Sequence, residues 1–151
     1  MNTPPNLGMQ VTTFENPMGI DGFEFVEFAA PAGQAHLLHD YFKTLGFSQV
    51  ARHKTRAISP YCQGDCTFLI NEDRDSFAAR FAAEHGPSAC GFAIRVKKLA
   101  EWARVQALKN GAESFDDADE LTKAVAAPVI KGIGDCMLYI VDRYDDQGTI
   151  H

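Results

Sequence analysis

The residues of this chain that could do chemistry fall into a few small sets. Glu24 and Glu27 share one aromatic-rich run. Paired carboxylates serve as general acid and base or as metal ligands. A spacing of three along a strand sends them to opposite faces, so they read as separate residues rather than a catalytic pair. Glu24 is expected to face inward and to find a partner such as Arg52 or Arg95, or a water, because a buried carboxylate without one is costly. His36 and His39 lie one helical turn apart, a metal-ligand spacing. No Glu or third His is evident beside them in the sequence, and they read as the wet edge of a helix. Cys62-x-x-x-Cys66 has a zinc-like spacing, but no second Cys/His pair follows it. With Cys90 and Cys136, these thiols sit in or beside apolar runs and read as reduced and buried. His53 and His85 are isolated and read as surface or capping residues. Lys131-Gly-Ile-Gly134 has the wrong order for a phosphate loop, and a strand follows it rather than a helix. Its glycines are expected to permit a tight bend. No Ser-His-Asp or Cys-His arrangement emerges from the spacing.

The elements that must position these residues come from periodicity. Residues 1–20 hold Pro4, Pro5, Pro17 and Gly19 and read as an arm. A strand is expected over 23–30, ended by Pro31. A helix over 33–45 presents Leu37, Leu38, Tyr41, Phe42 and Leu45 on one face, with Gly46 as its stop. Short strands follow over 48–54, 57–63 and 66–71. Asp75-Ser76 caps a short helix over 77–85 that ends at Gly86-Pro87. A strand over 89–96 and a helix over 99–109 come next, with Leu99, Trp102 and Ala103 on one face and Gly111 as stop. The acidic stretch 112–123 reads as a short strand plus loop. Strands over 125–130, broken by Pro128, and over 136–141 end the pattern. Gly-Asp-Cys recurs at 64–66 and 134–136 before the two best strands, and the order strand, helix, three strands occurs twice. Such repetition points to two similar units. They are expected at 21–73 and 88–145, joined by a helical connector at 74–87, within one domain. Two units of this kind bury their sheets by forming one α+β domain: paired βαβββ modules in a cupped, partly closed mixed β-barrel with the helices outside. The aromatics Phe23, Phe25, Phe28, Tyr41, Phe42, Phe68, Trp102 and Tyr139 are expected to form its core.

Bulk properties exclude several classes. The 151 residues are 46% hydrophobic and 23% charged, ordinary for a globular domain that needs no staple. The formal net charge of -6 argues against nucleic acid as a main partner. No run approaches the length of a membrane span, and 1–10 lack the pattern of a secretory signal. A cytoplasmic location is expected.

Three stretches then carry a resemblance: 16–29 (NPMGIDGFEFVEFA), 75–88 (DSFAARFAAEHGPS), and 130–134 (IKGIG) with 139–144 (YIVDRY). They resemble bacterial 4-hydroxyphenylpyruvate dioxygenase, a family of the vicinal-oxygen-chelate (glyoxalase/bleomycin-resistance) superfamily, whose βαβββ repeats match the order above. The resemblance covers only that family's N-terminal domain. It implies an Fe(II) enzyme that converts 4-hydroxyphenylpyruvate to homogentisate in tyrosine catabolism. The iron is held there by two His and a carboxylate, which leaves positions for the 2-oxo acid and O₂. All three ligands belong to the C-terminal domain. The resemblance places Glu24 where the catalytic domain has its first His, Gly91 at the second His and Tyr139 at the Glu, with Leu69 as the first unit's counterpart of Tyr139. These positions imply a pseudo-site without metal, no catalytic residue and no cofactor in this chain. His151 lacks the family's ligand setting.

Three functions follow as expectations. The first is a non-catalytic N-terminal domain that packs against the C-terminal catalytic domain and supports a homo-oligomer. The second is a free-standing, metal-free small-molecule binding protein of the glyoxalase/bleomycin-resistance type. The third, an independent metal enzyme, is disfavoured by the ligand count. A 4-hydroxymandelate-forming parent is left open, because the residues that would discriminate it belong to the C-terminal domain.

Overall fold

The computed structural model describes residues 14–116 and 127–143. Within them the chain runs β1 (Ile20–Ala29), α1 (Ala35–Thr44), β2 (Ser48–Gln49), β3 (Ile58–Gln63), β4 (Cys66–Asn71), α2 (Phe77–His85), β5 (Ser88–Val96), α3 (Ala100–Lys109), β6 (Val129–Lys131), a 3₁₀ turn (Ile133–Asp135) and β7 (Met137–Val141). The strands form one seven-stranded mixed sheet in the order β2-β3-β4-β1-β5-β7-β6. The sheet is not closed, as the cupped, partly closed architecture requires. β1 pairs parallel with β4, and β5 pairs parallel with β7. At the centre β1 meets β5 antiparallel. Each half thus repeats the same pairing on its own side of the β1/β5 seam.

Alternation along each strand sorts the side chains to two faces. One face takes Phe28, Phe68, Ile70, Tyr61 and Phe47, and α1 lays Leu38 and Phe42 onto it. The rings interlock, with Phe42 5.0 Å from both Phe28 and Phe68, and Phe47 stacked on Phe68 at 4.5 Å. Gly46 ends α1 at a φ of +91°, a backbone state that suits glycine. In the second half Ile94, Val96, Ile130 and Ile140 receive α3. The other face carries Phe25, Ala93, Met137, Tyr139 and Val141, with Phe77 and Phe115 packed over them. α2 starts at Ser76, whose hydroxyl accepts from Ala79 N at 3.2 Å. It sets Ala78 and Ala82 on Ala29 and Cys90.

Several expectations are corrected. α3 buries Ala100, Ala103 and Ala107, while Leu99 and Trp102 lie outside. Small residues let the helix axis approach the sheet and turn the large ones outward. Phe23 and Tyr41 are exposed rather than core. The strand expected over 48–54 covers two residues only. Val50 N donates to Pro60 O at 3.1 Å, but Pro60 has no N–H to return. Of the acidic stretch, Ser114 makes a single bridge to Ile130. Residues 117–126, the arm over 1–13 and His151 lie outside the described residues. No helix among the described residues is long and apolar enough to cross a membrane.

Candidate functional site

The chemically loaded spot lies on the face away from α1 and α3, where β4, β1, β5 and β7 run side by side. Glu27 is its centre. Its Cα partners are Leu69 on β4 and Gly91 on β5. The residue is only 4% exposed. Two neutral donors reach its carboxylate. Asn71 Nδ2 donates to Oε1 at 2.7 Å, and the Tyr139 hydroxyl donates to Oε2 at 2.8 Å. Tyr139 belongs to β7, with β5 in between, so its ring must cross β5 to arrive. Gly91 makes that crossing possible. A Cβ there would meet Tyr139 Cε2 at 3.2 Å and Met137 Cβ at 3.3 Å. The cluster joins β1 and β4 of the first half to β7 of the second.

Glu24 is not part of this group. A register shift between Phe23 and Phe25 falls on it, so the alternation that separates Glu24 from Glu27 by face is broken there. Glu24 faces Arg95 instead, with Nε 3.7 Å from Oε2, so Arg95, one of the expected partners, is in reach. The structure therefore brings Leu69, Gly91 and Tyr139 together around Glu27 and leaves Glu24 outside. Nothing local in the sequence marks the shift. The one available signal was a charged residue in phase with Phe25 and Ala29.

The donor set can be held against an iron site of two imidazoles and a carboxylate. Leu69 and Gly91 offer no ligand atom, no imidazole is among the four positions, and the oxygens of Glu27 accept from Asn71 and Tyr139. These residues do not fit such a site. Among the described residues no group of three or more His, Cys, Asp or Glu stands together as a metal site.

A second polar cluster lies on the α1 side. His39 Nδ1 is 2.7 Å from the Tyr61 hydroxyl, and His39 Nε2 is 3.1 Å from Glu72 Oε2. The absence of a Glu beside His39, expected from the sequence, is thus corrected: Glu72 arrives from the end of β4. Burial, then the Glu72 and Asp40 carboxylates, raise the Tyr61 phenol above its ordinary pKa. His36 stays outside, its Nδ1 3.0 Å from Gly33 O. Cys62 sits opposite Thr67 and Cys66 opposite Gln63, so the two thiols point to opposite faces of their hairpin and cannot share a zinc ion. Cys90 is buried against the Glu27 backbone carbonyl, 3.6 Å from Sγ. Burial first, and the Glu27 carboxylate next, push its thiol far up. Cys66, by contrast, is exposed.

Comparison with known proteins places the chain. The family model described as "Hydroxyphenylpyruvate dioxygenase, HPPD, N-terminal" matches residues 14–151. The chain is 40% identical over 138 residues to the 4-hydroxyphenylpyruvate dioxygenase of Pseudomonas sp. (strain P.J. 874), a match that covers 91% of this chain and 38% of that one. The chain thus spans well under half the length of this curated relative. Among solved structures, a xylose isomerase-like TIM barrel/4-hydroxyphenylpyruvate dioxygenase fusion protein aligns with a TM-score of 0.73 at 28% identity, over 92% of this chain and 22% of that one. Methylmalonyl-CoA epimerase from Mycobacterium tuberculosis aligns with a TM-score of 0.56 at 19% identity, over 89% of this chain and 93% of that one. That likeness concerns the fold alone, and it is a glyoxalase-type fold.

Proposed function

The chain belongs to the hydroxyphenylpyruvate dioxygenase N-terminal domain family, and we propose that it is the non-catalytic half of a dioxygenase of that family. In this reading the Fe(II) site that converts 4-hydroxyphenylpyruvate to homogentisate lies in a further, C-terminal domain. This chain packs against that domain and supports a cytoplasmic homo-oligomer. Its own pseudo-site carries no metal.

The observation that carries the reading is the Glu27 cluster. An iron ligand must present a free lone pair toward a shared centre. Glu27, whose oxygens accept from Asn71 and Tyr139, is a single carboxylate, and the neighbouring positions are a leucine and a glycine that add no ligand. A hydrogen-bonded carboxylate of this kind supports a seam between two halves of a sheet, which is a structural task. The filling of the same face by Phe25, Tyr139, Phe77 and Phe115 favours it over an open ligand cup. The test is anaerobic dialysis of the chain against Fe(II), with metal analysis and O₂ uptake on 4-hydroxyphenylpyruvate. The expected result is no retained iron and no uptake. One tightly held iron per chain, or turnover by the chain alone, would overturn the reading.

A further inference from the structure

Helix α3 is apolar on both sides. Its inner stripe, Ala100, Ala103 and Ala107, is closed against the sheet. Its outer side carries the larger residues: Leu99 is 74% exposed, Trp102 38%, and Val105 follows on the next turn, also exposed. The rim is charged. Lys98 Nζ lies 4.0 Å from the centre of the Trp102 ring, and Glu101 accepts from Arg104 Nε and Nη2. An apolar strip with a charged rim has the anatomy of a covered surface.

The course of the chain indicates what covers it. Asp142 follows β7 directly, and its Oδ2 accepts from Ala100 N at 2.7 Å. This bond caps α3 and holds Asp142 at its first turn, next to Leu99 and Trp102. The matched region makes up 38% of the Pseudomonas relative, and the family is described as an N-terminal one. The polypeptide that follows in such a relative therefore leaves from residues 142–143 at this end of α3, and it begins within the extended reach of residues 144–151, at most about 30 Å. A tether of that reach raises its effective concentration at the strip. The competing exposed strip on α1, Leu37, Tyr41 and Leu45, lies on the other half of the sheet, away from that exit.

Resting on the reading of this chain as an N-terminal domain, we infer that Leu99, Trp102 and Val105 are the seat of the domain that continues C-terminally in the longer relatives. That domain meets the strip with an apolar surface of its own. Trp102 is the single tryptophan of the sequence, and it reports on the contact directly. The test compares the 151-residue chain with the same chain joined in frame to the part of the Pseudomonas relative that follows the matched region. Both are exposed briefly to hydroxyl radicals, and oxidation is read by mass spectrometry at Trp102 and, as internal reference, at Tyr41. The expected result is a several-fold fall of Trp102 oxidation in the fusion with Tyr41 unchanged. Unchanged Trp102 oxidation in a fusion that converts 4-hydroxyphenylpyruvate overturns the docking surface and leaves the proposed function standing. Protected Trp102 in a fusion without turnover supports the surface and counts against the proposed function. Protection of Tyr41 in place of Trp102 moves the interface to α1 and overturns the inference. Protection of Trp102 that grows with concentration in the chain alone makes a second copy the occupant, and overturns it equally.

Discussion

Two carboxylates in this molecule are linked to a tyrosine, and they are held in different ways. Glu27 is closed inside the sheet and takes the Tyr139 hydroxyl directly, together with Asn71. Glu72 sits at the rim with its side chain 32% exposed, and reaches Tyr61 only through His39. Water can replace a lost partner at the rim. It cannot do so at Glu27 without opening the β1/β5 seam. The same residue types thus make a structural necessity in one place and an adjustable contact in the other, and burial decides which.

Mutations should expose this difference. Glu27→Ala removes the acceptor of two buried donors and leaves a void, with an expected loss of about 3–5 kcal/mol in urea unfolding. Tyr139→Phe deletes one hydrogen bond to a buried charge and should cost about 2 kcal/mol. Gly91→Ala, which crowds Tyr139 and Met137 by a few tenths of an ångström, should cost about 1–2 kcal/mol. At the rim, Glu72→Gln should change stability by less than about 1 kcal/mol. A Glu72→Gln loss equal to that of Tyr139→Phe would erase the distinction between the clusters.

A smaller effect concerns pH. The Cys90 thiol and the Tyr61 phenol are both raised in the fold. A raised group keeps its proton in the native state while the unfolded chain ionises. Its contribution is therefore complete below the unfolded pKa and lost as pH rises above it. Stability should fall from about pH 8.5 through the thiol and further above about pH 10 through the phenol. Cys90→Ala should flatten the first part of that fall, as read by unfolding midpoints across the alkaline range. In the folded chain, exposed Cys66 should react with a maleimide while Cys90 does not.

Much of the fold is legible in the sequence because its signals are local. The start of α2 at Asp75-Ser76 and the span Cys66–Asn71 of β4 follow from capping chemistry and spacing, while of the face expected on α1 only Leu38 and Phe42 are buried and Leu37, Tyr41 and Leu45 are exposed. The orientation of α3 is not legible in the same way. Large apolar residues suggest an inner face, yet close approach of the helix to the sheet selects the alanines. Leu69, Gly91 and Tyr139 do come together, but around Glu27 rather than Glu24. A register shift between Phe23 and Phe25, one of three along the β1/β5 pairing, falls on Glu24, and it becomes visible only when the two strands are paired. The His39–Glu72 contact is hidden for a related reason, because it joins residues 33 positions apart.

The central claim is that Tyr139 and Asn71, rather than a metal ion, hold the Glu27 carboxylate. Anaerobic titration of the chain with Fe(II), followed by the thermal unfolding midpoint, tests it most directly. A ligand that binds only the native state raises that midpoint with its concentration. The account predicts a midpoint that stays flat across the titration and is unchanged by a chelator. A saturable rise at one Fe(II) per chain, lost in Glu27→Ala, would contradict it.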